Sequence, residues 1–197
     1  MTVPQVNQIL CSHLPIYPMK FISWNIIGLN SPSKHKILKK MIMEEHPAIF
    51  YMQETKCTSS TLEAIFKKIW KGSNIIAVNA NGASGGLSII WNPQIINLEN
   101  LQANKNFIQG NFHLVGTDIH GLLTNFYAPQ NVQQKLMLLR NIEKLNLQRS
   151  HPLWLLGGDL NMITNLQGNK GGRQHLESDI NGFKEFIQSN NLIYLQT

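Results

Sequence analysis

Apolar residues along the chain come in two rhythms: short runs of four or five, and longer stretches in which they recur every three or four positions. The first is the mark of a buried strand and the second of an amphipathic helix. Residues 21–24 read as a short buried strand and 25–32 as the loop after it. A helix follows, with Ser31 or Ser33 as its cap, Pro32 at a first helical position, and Ile37, Leu38, Met41 and Ile42 on one face until Pro47 stops it. Residues 48–52 form another apolar strand. Leu62, Ile65, Phe66 and Ile69 fall at helical spacing, and the β-branched or apolar runs 75–78 and 87–91 read as a strand pair.

Further along, 107–115 and 122–127 flank a turn at 117–121 and predict a hairpin, ended by Pro129. Val132, Leu136, Leu139, Ile142 and Leu145 mark a long amphipathic helix. A wholly apolar strand, 153–156, then runs into Gly157-Gly158-Asp159. The last helix is expected to begin near Ser178 and to bury Phe183, Phe186 and Ile187, with Ser178-Asp179 as its cap. This order predicts a layered α/β fold, sheets inside and helices outside.

Composition narrows the picture. The 197 residues suffice for one well-buried domain, and 43% hydrophobic against 14% charged residues favours a packed core over disorder. Residues 1–18 have neither a basic start nor a long apolar run, so no signal peptide or membrane helix is expected; they read as a loose leader before a domain spanning 19–197. The net charge of +6 suits a polyanionic partner, although many proteins that bind none share it. Cys11 and Cys57 form no Cys-x-x-Cys and have no histidine cluster beside them, which argues against structural zinc and a disulfide framework. A reducing, intracellular setting is the expectation, the nucleus included, and neither a membrane nor a protein partner is called for.

Several strands end in polar residues with no obvious packing role: Asn25 after Trp24, Glu54 after Gln53, Tyr127 after Phe126, and Asp159 and Asn161 after the glycine pair. Taken singly, each is as readily a turn or loop residue. Strands that terminate together in such groups can bring them to one rim of the sheets, where a ligand or metal would bind.

Their order and wording resemble the motifs of the endonuclease/exonuclease/phosphatase superfamily. The chain looks most like the endonuclease domain of plant LINE-type non-LTR retrotransposons, through Ser23-Trp24-Asn25-Ile26-Ile27-Gly28-Leu29-Asn30, Gln53-Glu54-Thr55-Lys56, Gly85-Gly86-Leu87, Asn125-Phe126-Tyr127-Ala128-Pro129 and Gly157-Gly158-Asp159-Leu160-Asn161. Asn169-Lys170-Gly171-Gly172-Arg173 adds to the likeness. The resemblance implies a two-layered β-sandwich flanked by helices, with an incomplete second half, because the family's later Trp-containing, Arg-Ile-Asp and Ser-Asp-His motifs have no counterpart before Thr197.

It also implies a metal-dependent phosphodiesterase, a DNA endonuclease, with Mg²⁺ (or Mn²⁺) held by Glu54. Asp159 would orient or deprotonate the attacking water, Asn161 would donate to the phosphate, Asn25 would help fix metal and phosphate, and the Tyr127 hydroxyl would support the phosphate. Arg173 is a further candidate substrate contact. The structural alternative for Glu54 is a strand end paired with Lys56. Ile27 stands where plant relatives often carry Arg, which removes one phosphate contact. No histidine replaces the family's late one: His13 and His46 lie outside the motifs, His35 is expected on the exposed side of a helix, and His120 beside a turn. Activity is therefore expected to be weak or absent, and two other readings stay open, a non-catalytic nucleic-acid-binding remnant and a non-functional retroelement fragment.

Overall fold

The computed structural model describes residues 5–9, 19–82, 84–147, 153–161 and 172–193, with side chains described outside 5–9 and 172–180. Cys11, His13, Asn169 to Gly171 and Tyr194 to Thr197 lie outside the described residues, as does the side chain of Arg173.

Among the described residues, nine strands form two sheets and four helices flank them. The first has the order β1 (Gln5–Ile9), β2 (Met19–Asn25), β3 (Ile49–Gln53), β5 (Leu87–Trp91), β4 (Asn74–Val78). The second runs β6 (Ile96–Ala103), β7 (Phe107–Leu114), β8 (His120–Tyr127), β9 (Trp154–Asp159). The helices are α1 (Pro32–Glu45), α2 (Ser59–Ile69), α3 (Val132–Leu147) and α4 (Gly172–Ser189). The expected sandwich of two sheets flanked by helices is what forms.

Three apolar clusters stack these layers. Ile22, Trp24, Phe50 and Met52 on one face of the first sheet pack against Leu38 and Ile42 of α1 and Leu62 and Phe66 of α2. Alternate residues of the same strands, Phe21, Ile49, Tyr51 and Ile89, meet Ile108, Phe112 and Leu123 between the sheets. On the far side, Phe107 and Phe126 pack with Leu138, Leu139 and Ile142 of α3 and Phe186 of α4. β3 and β5 are buried on both faces, which accounts for their mostly apolar sequences, broken only by Gln53 and Ser88. A fully buried Ile, Leu or Phe contributes about 1.5–3 kcal/mol, so each cluster outweighs any single polar contact described below.

Two pairs of strands are parallel, β2 with β3 and β8 with β9, each joined by a helical crossover, α1 or α3; the remaining neighbours are antiparallel. Helix α1 has Ser31 at its N-cap and Pro32 as its first residue, and it is closed by His46, whose φ of 46° is a left-handed C-cap before Pro47.

Four sequence expectations are corrected. Residues 1–18 are not wholly a leader, because Gln5–Ile9 pairs with β2 from Gln5↔Ser23 to Ile9↔Met19. β6 was not anticipated; it alternates Ile96 and Leu98, then loses its period at an irregularity between Glu99 and Gln102, and that break hides it. Helix α4 starts at Gly172, so Ser178-Asp179 lies inside it and is not its cap; burial of Phe183, Phe186 and Ile187 against α3 overrides the weak dislike of helix interiors for Ser and Asp. His35 is half-buried, not exposed: its Nε2 lies 2.7 Å from the Leu29 carbonyl oxygen.

Candidate active site

The two parallel pairs end side by side, one in each sheet. The final register partners are Asn25↔Gln53 at the end of β2 and β3, and Tyr127↔Asp159 at the end of β8 and β9. Carboxyl ends of parallel strands are where open α/β sheets place their ligands, since the polypeptide leaves the ladder there and its polar groups are no longer consumed by it. The residues just beyond the apolar runs are therefore brought to one rim by topology.

The amide of Asn25 is the junction. Its Nδ2 donates to Glu54 Oε1 at 3.2 Å and to Asp159 Oδ2, so one NH₂ group bridges carboxylates delivered by different sheets. Its Oδ1 accepts the Ile27 backbone N–H at 3.2 Å. The Tyr127 hydroxyl donates to the same Glu54 Oε1 at 2.8 Å, leaving Oε2, which faces Lys56 Nζ at 3.7 Å. The pairing of Glu54 with Lys56 is thus real but long and partly exposed, worth little. Asp159 Oδ1 accepts the Asn161 backbone N–H at 2.7 Å, and Asn161 Nδ2 donates to the Ala128 carbonyl at 2.6 Å. Asn25, Glu54, Tyr127, Asp159 and Asn161 form one connected cluster.

Tyr127 has its phenol pushed up from the ordinary value. Burial is the main cause; the hydrogen bond and charge of Glu54 and the charge of Asp159 add to it, while a hydrogen bond with Asn161 acts the other way. At neutral pH the phenol stays a donor.

Backbone turns aim these groups. Glu54 has φ 51°, a left-handed conformation uncommon for a side chain of this size, which turns its carboxylate out of the β3 ladder. Loop pairing holds it there: Ile26 N donates to Gln53 O, Gly28 N to Glu54 O and Leu29 N to Thr55 O, and on the other side Thr55 N and Lys56 N donate to Gly86 O and Gly85 O. Gly86 must be glycine, because it has φ 89° and a Cβ there would run into Thr55 Oγ1. Gly158 is equally constrained, since a Cβ would meet the Phe126 carbonyl oxygen of the neighbouring strand.

Residues invisible to motif reading complete the frame. Lys34, in the first turn of α1, donates from Nζ to the carbonyls of Ile26, Ile27 and Gly28 at 2.6, 2.9 and 2.8 Å. It holds a loop in which Ile27, a β-branched residue 49% exposed, has φ 49°. Lys135 is 2% exposed and donates to Asn161 O at 3.3 Å. Beneath the rim, buried Gln53 donates to Ser23 Oγ at 3.2 Å and Asn125 Oδ1 at 2.6 Å, and Asn125 donates to Ser88 O and Met52 O. The only hint of these roles in sequence was a lysine following each motif loop at the start of a helix.

Of the other histidines with described side chains, His46 ends α1, His113 Nε2 lies 2.7 Å from Thr117 O and His120 Nδ1 lies 2.9 Å from Asp118 O. No cluster of three or more His, Cys, Asp or Glu suited to a metal occurs among the described residues. Glu54 and Asp159 nonetheless offer carboxylate oxygens at one point, joined by the Asn25 NH₂ group, and among the described residues Glu54 Oε2 faces only distant Lys56. That set fits an ion such as Mg²⁺, which takes one or two carboxylates and keeps several waters.

An α/β sandwich with carboxylates and amides at the carboxyl ends of its parallel strands is the class this chain falls in. No family model and no curated protein matches the sequence. Solved structures do match in fold. An AP endonuclease from Leishmania major superposes with a TM-score of 0.63 at 16% identity, covering 88% of this chain and 67% of that one. An endonuclease/exonuclease/phosphatase family protein from Bacteroides thetaiotaomicron gives 0.60 at 14%, covering 91% and 68%. TDP2 from D. rerio, in a complex with single-strand DNA product, gives 0.58 at 14%, covering 74% and 61%. The chain has the endonuclease/exonuclease/phosphatase fold; at these identities the likeness speaks for the fold alone. No described helix is long and apolar enough to cross a membrane.

Proposed function

We propose that this chain is built as a divalent-metal-dependent phosphodiesterase acting on DNA, of the kind found in LINE-type retrotransposons. One observation carries the reading: a single amide, Asn25, joins Glu54 and Asp159 from two different sheets while Tyr127 binds the same Glu54 oxygen. Two carboxylates brought this close repel one another, and the arrangement makes sense where a cation and an anionic phosphate share the space.

Glu54, through Oε2, would hold Mg²⁺ or Mn²⁺ with Asn25 beside it. When bound, the ion supplies positive charge against the phosphate oxygens. Asp159 would accept a proton from a water attacking phosphorus, its Oδ1 held by the Asn161 N–H and its Oδ2 by the Asn25 amide. Asn161, whose side chain is bonded to the Ala128 carbonyl and to Tyr127, would donate to a phosphate oxygen in exchange for its Tyr127 contact. Tyr127, held protonated, stays a donor at the rim. The first turn of α4 carries Arg173, our candidate for a more distant phosphate contact. The fold neighbours named for endonuclease activity and for bound DNA product favour DNA as substrate.

None of the histidines whose side chains are described, His35, His46, His113 and His120, has a hydrogen bond to the cluster, so none of these would neutralise the leaving oxygen or the phosphate. Loss of such a group commonly costs about 10²–10⁴ in rate. Supercoiled plasmid nicking by the 197-residue chain is therefore expected near background. Mg²⁺ binding tests the reading more directly: calorimetric titration should give a weak heat signal that Glu54→Gln reduces about tenfold in affinity or more. Equal titrations for the two proteins would refute the metal site. Robust nicking abolished by Asp159→Asn would refute the expectation of weak activity.

A further inference from the structure

Helix α3 has two stripes, and the core uses one together with Leu138 of the other. Leu139 and Ile142 are buried against β8 and α4, whereas Gln134, Met137, Leu138 and Asn141, at i, i+3, i+4 and i+7, line a groove of about 360 Å³ closed on its other side by the β6–β7 turn. Its floor is apolar, with Phe107 and Leu138 buried at 7% and 6% exposure, and Met137 lies open at 61%. Its rim is polar. Lys105, Gln134 and Asn141 are exposed there, and among the described residues their side-chain heads have no hydrogen bond or ion pair.

The wall of this groove is joined to the strand that carries Tyr127 to the candidate active site. Asn106, in its wall, is tied to Tyr127 twice: Tyr127 N donates to Asn106 O at 2.8 Å and Asn106 Nδ2 donates to Tyr127 O at 3.1 Å. Pro129, two residues beyond Tyr127, forms another part of the wall. A strand of nucleic acid whose phosphate lies at Glu54 and Asp159 thus has a pocket beside it of the volume usual for small-molecule sites.

We propose that this groove holds one unstacked nucleotide of the DNA strand next to the phosphate at the active site, an inference that rests on the function proposed above. The flat face of a base would lie on Met137 and the apolar floor. The two free amides can each donate and accept, which is what a base edge requires, and Lys105 supplies the cation for the adjoining phosphate. A protein segment is less well matched by a rim of unpaired amides with one cation and no anion.

The test is fluorescence-anisotropy titration of a labelled single-stranded DNA oligonucleotide with the 197-residue chain, in EDTA and at several salt concentrations. Met137→Glu, which puts a negative charge on the floor, should weaken binding about fivefold to tenfold, and Met137→Leu should leave it unchanged. Lys105→Ala should lower the salt slope by about one, while Lys67→Ala on exposed α2 should weaken binding less than Lys105→Ala. No binding by the unmodified chain, or equal binding by Met137→Glu, or equal loss from Lys67→Ala and Lys105→Ala, would overturn the groove. Mg²⁺ titration of the same preparations separates the two claims: if Glu54→Gln leaves it unchanged but the groove variants still lose DNA, the metal reading falls and the groove stands.

Discussion

The two crossover units, β2–α1–β3 and β8–α3–β9, deliver the same kind of product by different means. Each is a parallel pair ending at the rim, and each projects a carboxylate there, Glu54 from the first and Asp159 from the second. In the first unit the loops are held by polar clamps: Lys34 on three carbonyls, His35 on Leu29 O, and Gln53 reaching across to Asn125. In the second, β9 approaches its neighbour closely enough that Gly158 has no room for a Cβ, and the carboxylate is fixed by one backbone N–H and the Asn25 amide, with Lys135 on the Asn161 carbonyl. The contrast shows where strain is carried. Glu54 occupies a left-handed conformation for the sake of its side chain's direction, whereas the second unit gives its close approach to glycine, which bears it at little cost.

Substitutions can break that contrast. The largest effect is expected at Gly158, where Gly158→Val must displace the Phe126 strand and should lower the unfolding free energy by about 3 kcal/mol in urea. Its counterpart in the first unit should go the other way: Glu54→Gly removes a residue that dislikes φ 51°, so stability should hold or rise by up to about 1 kcal/mol even as Mg²⁺ binding is lost. A loss at Glu54→Gly as large as at Gly158→Val would mean that the two turns do not differ in the way described.

Next in size is Gln53→Leu. It removes the donor to Asn125 Oδ1 in a dry site between sheets, and an orphaned buried acceptor costs about 1–3 kcal/mol. Stability unchanged by this substitution would show that the cross-sheet amide pair contributes nothing. Lys34→Met should cost about 1–2 kcal/mol, because three carbonyls lose a charged donor at the surface, where water replaces it in part. Hydrogen exchange should locate that loss in residues 26–29; uniform change across the first sheet would count against a local clamp.

The smallest effect is a pH dependence. Tyr51 and Tyr127 both have phenols raised above the ordinary 10.0, each chiefly by burial. The folded state therefore favours the protonated form. Its stability advantage is full below about pH 10, where both states are protonated, and is lost as pH rises toward the folded values and the unfolded chain ionises first. Urea midpoints taken from about pH 8 to 11 should fall, and Tyr51→Phe should reduce that fall. Because the Tyr51 hydroxyl is buried without a partner among the described residues, the same substitution should be neutral or stabilising at pH 7. A marked loss of stability at pH 7 would reveal a partner for it.

Much of this was written in the amino-acid order. The period of apolar residues located α1, α2, α3 and most strands, because burial of one helix face or of both faces of a strand leaves a local pattern that no distant contact needs to complete. The glycines before Asp159 and the polar residues after each apolar run marked the candidate site for the same reason: strands must end, and what ends them is visible nearby. Period reading failed where the constraint was remote. β6 breaks its own alternation, Gln5–Ile9 becomes a strand by pairing with β2, and α4 runs through Ser178 because its phenylalanines have a partner in α3. Only tertiary structure decided that Asn25 would bridge Glu54 and Asp159 across 29 and 134 residues of sequence, that Lys34 would hold a loop instead of facing water, and that α3 would leave a second stripe beside Tyr127. Those contacts depend on how two sheets stack and on which ends meet, and stacking is set by the sum of many apolar contacts, none of which is recorded in the spacing of the polar residues it brings together.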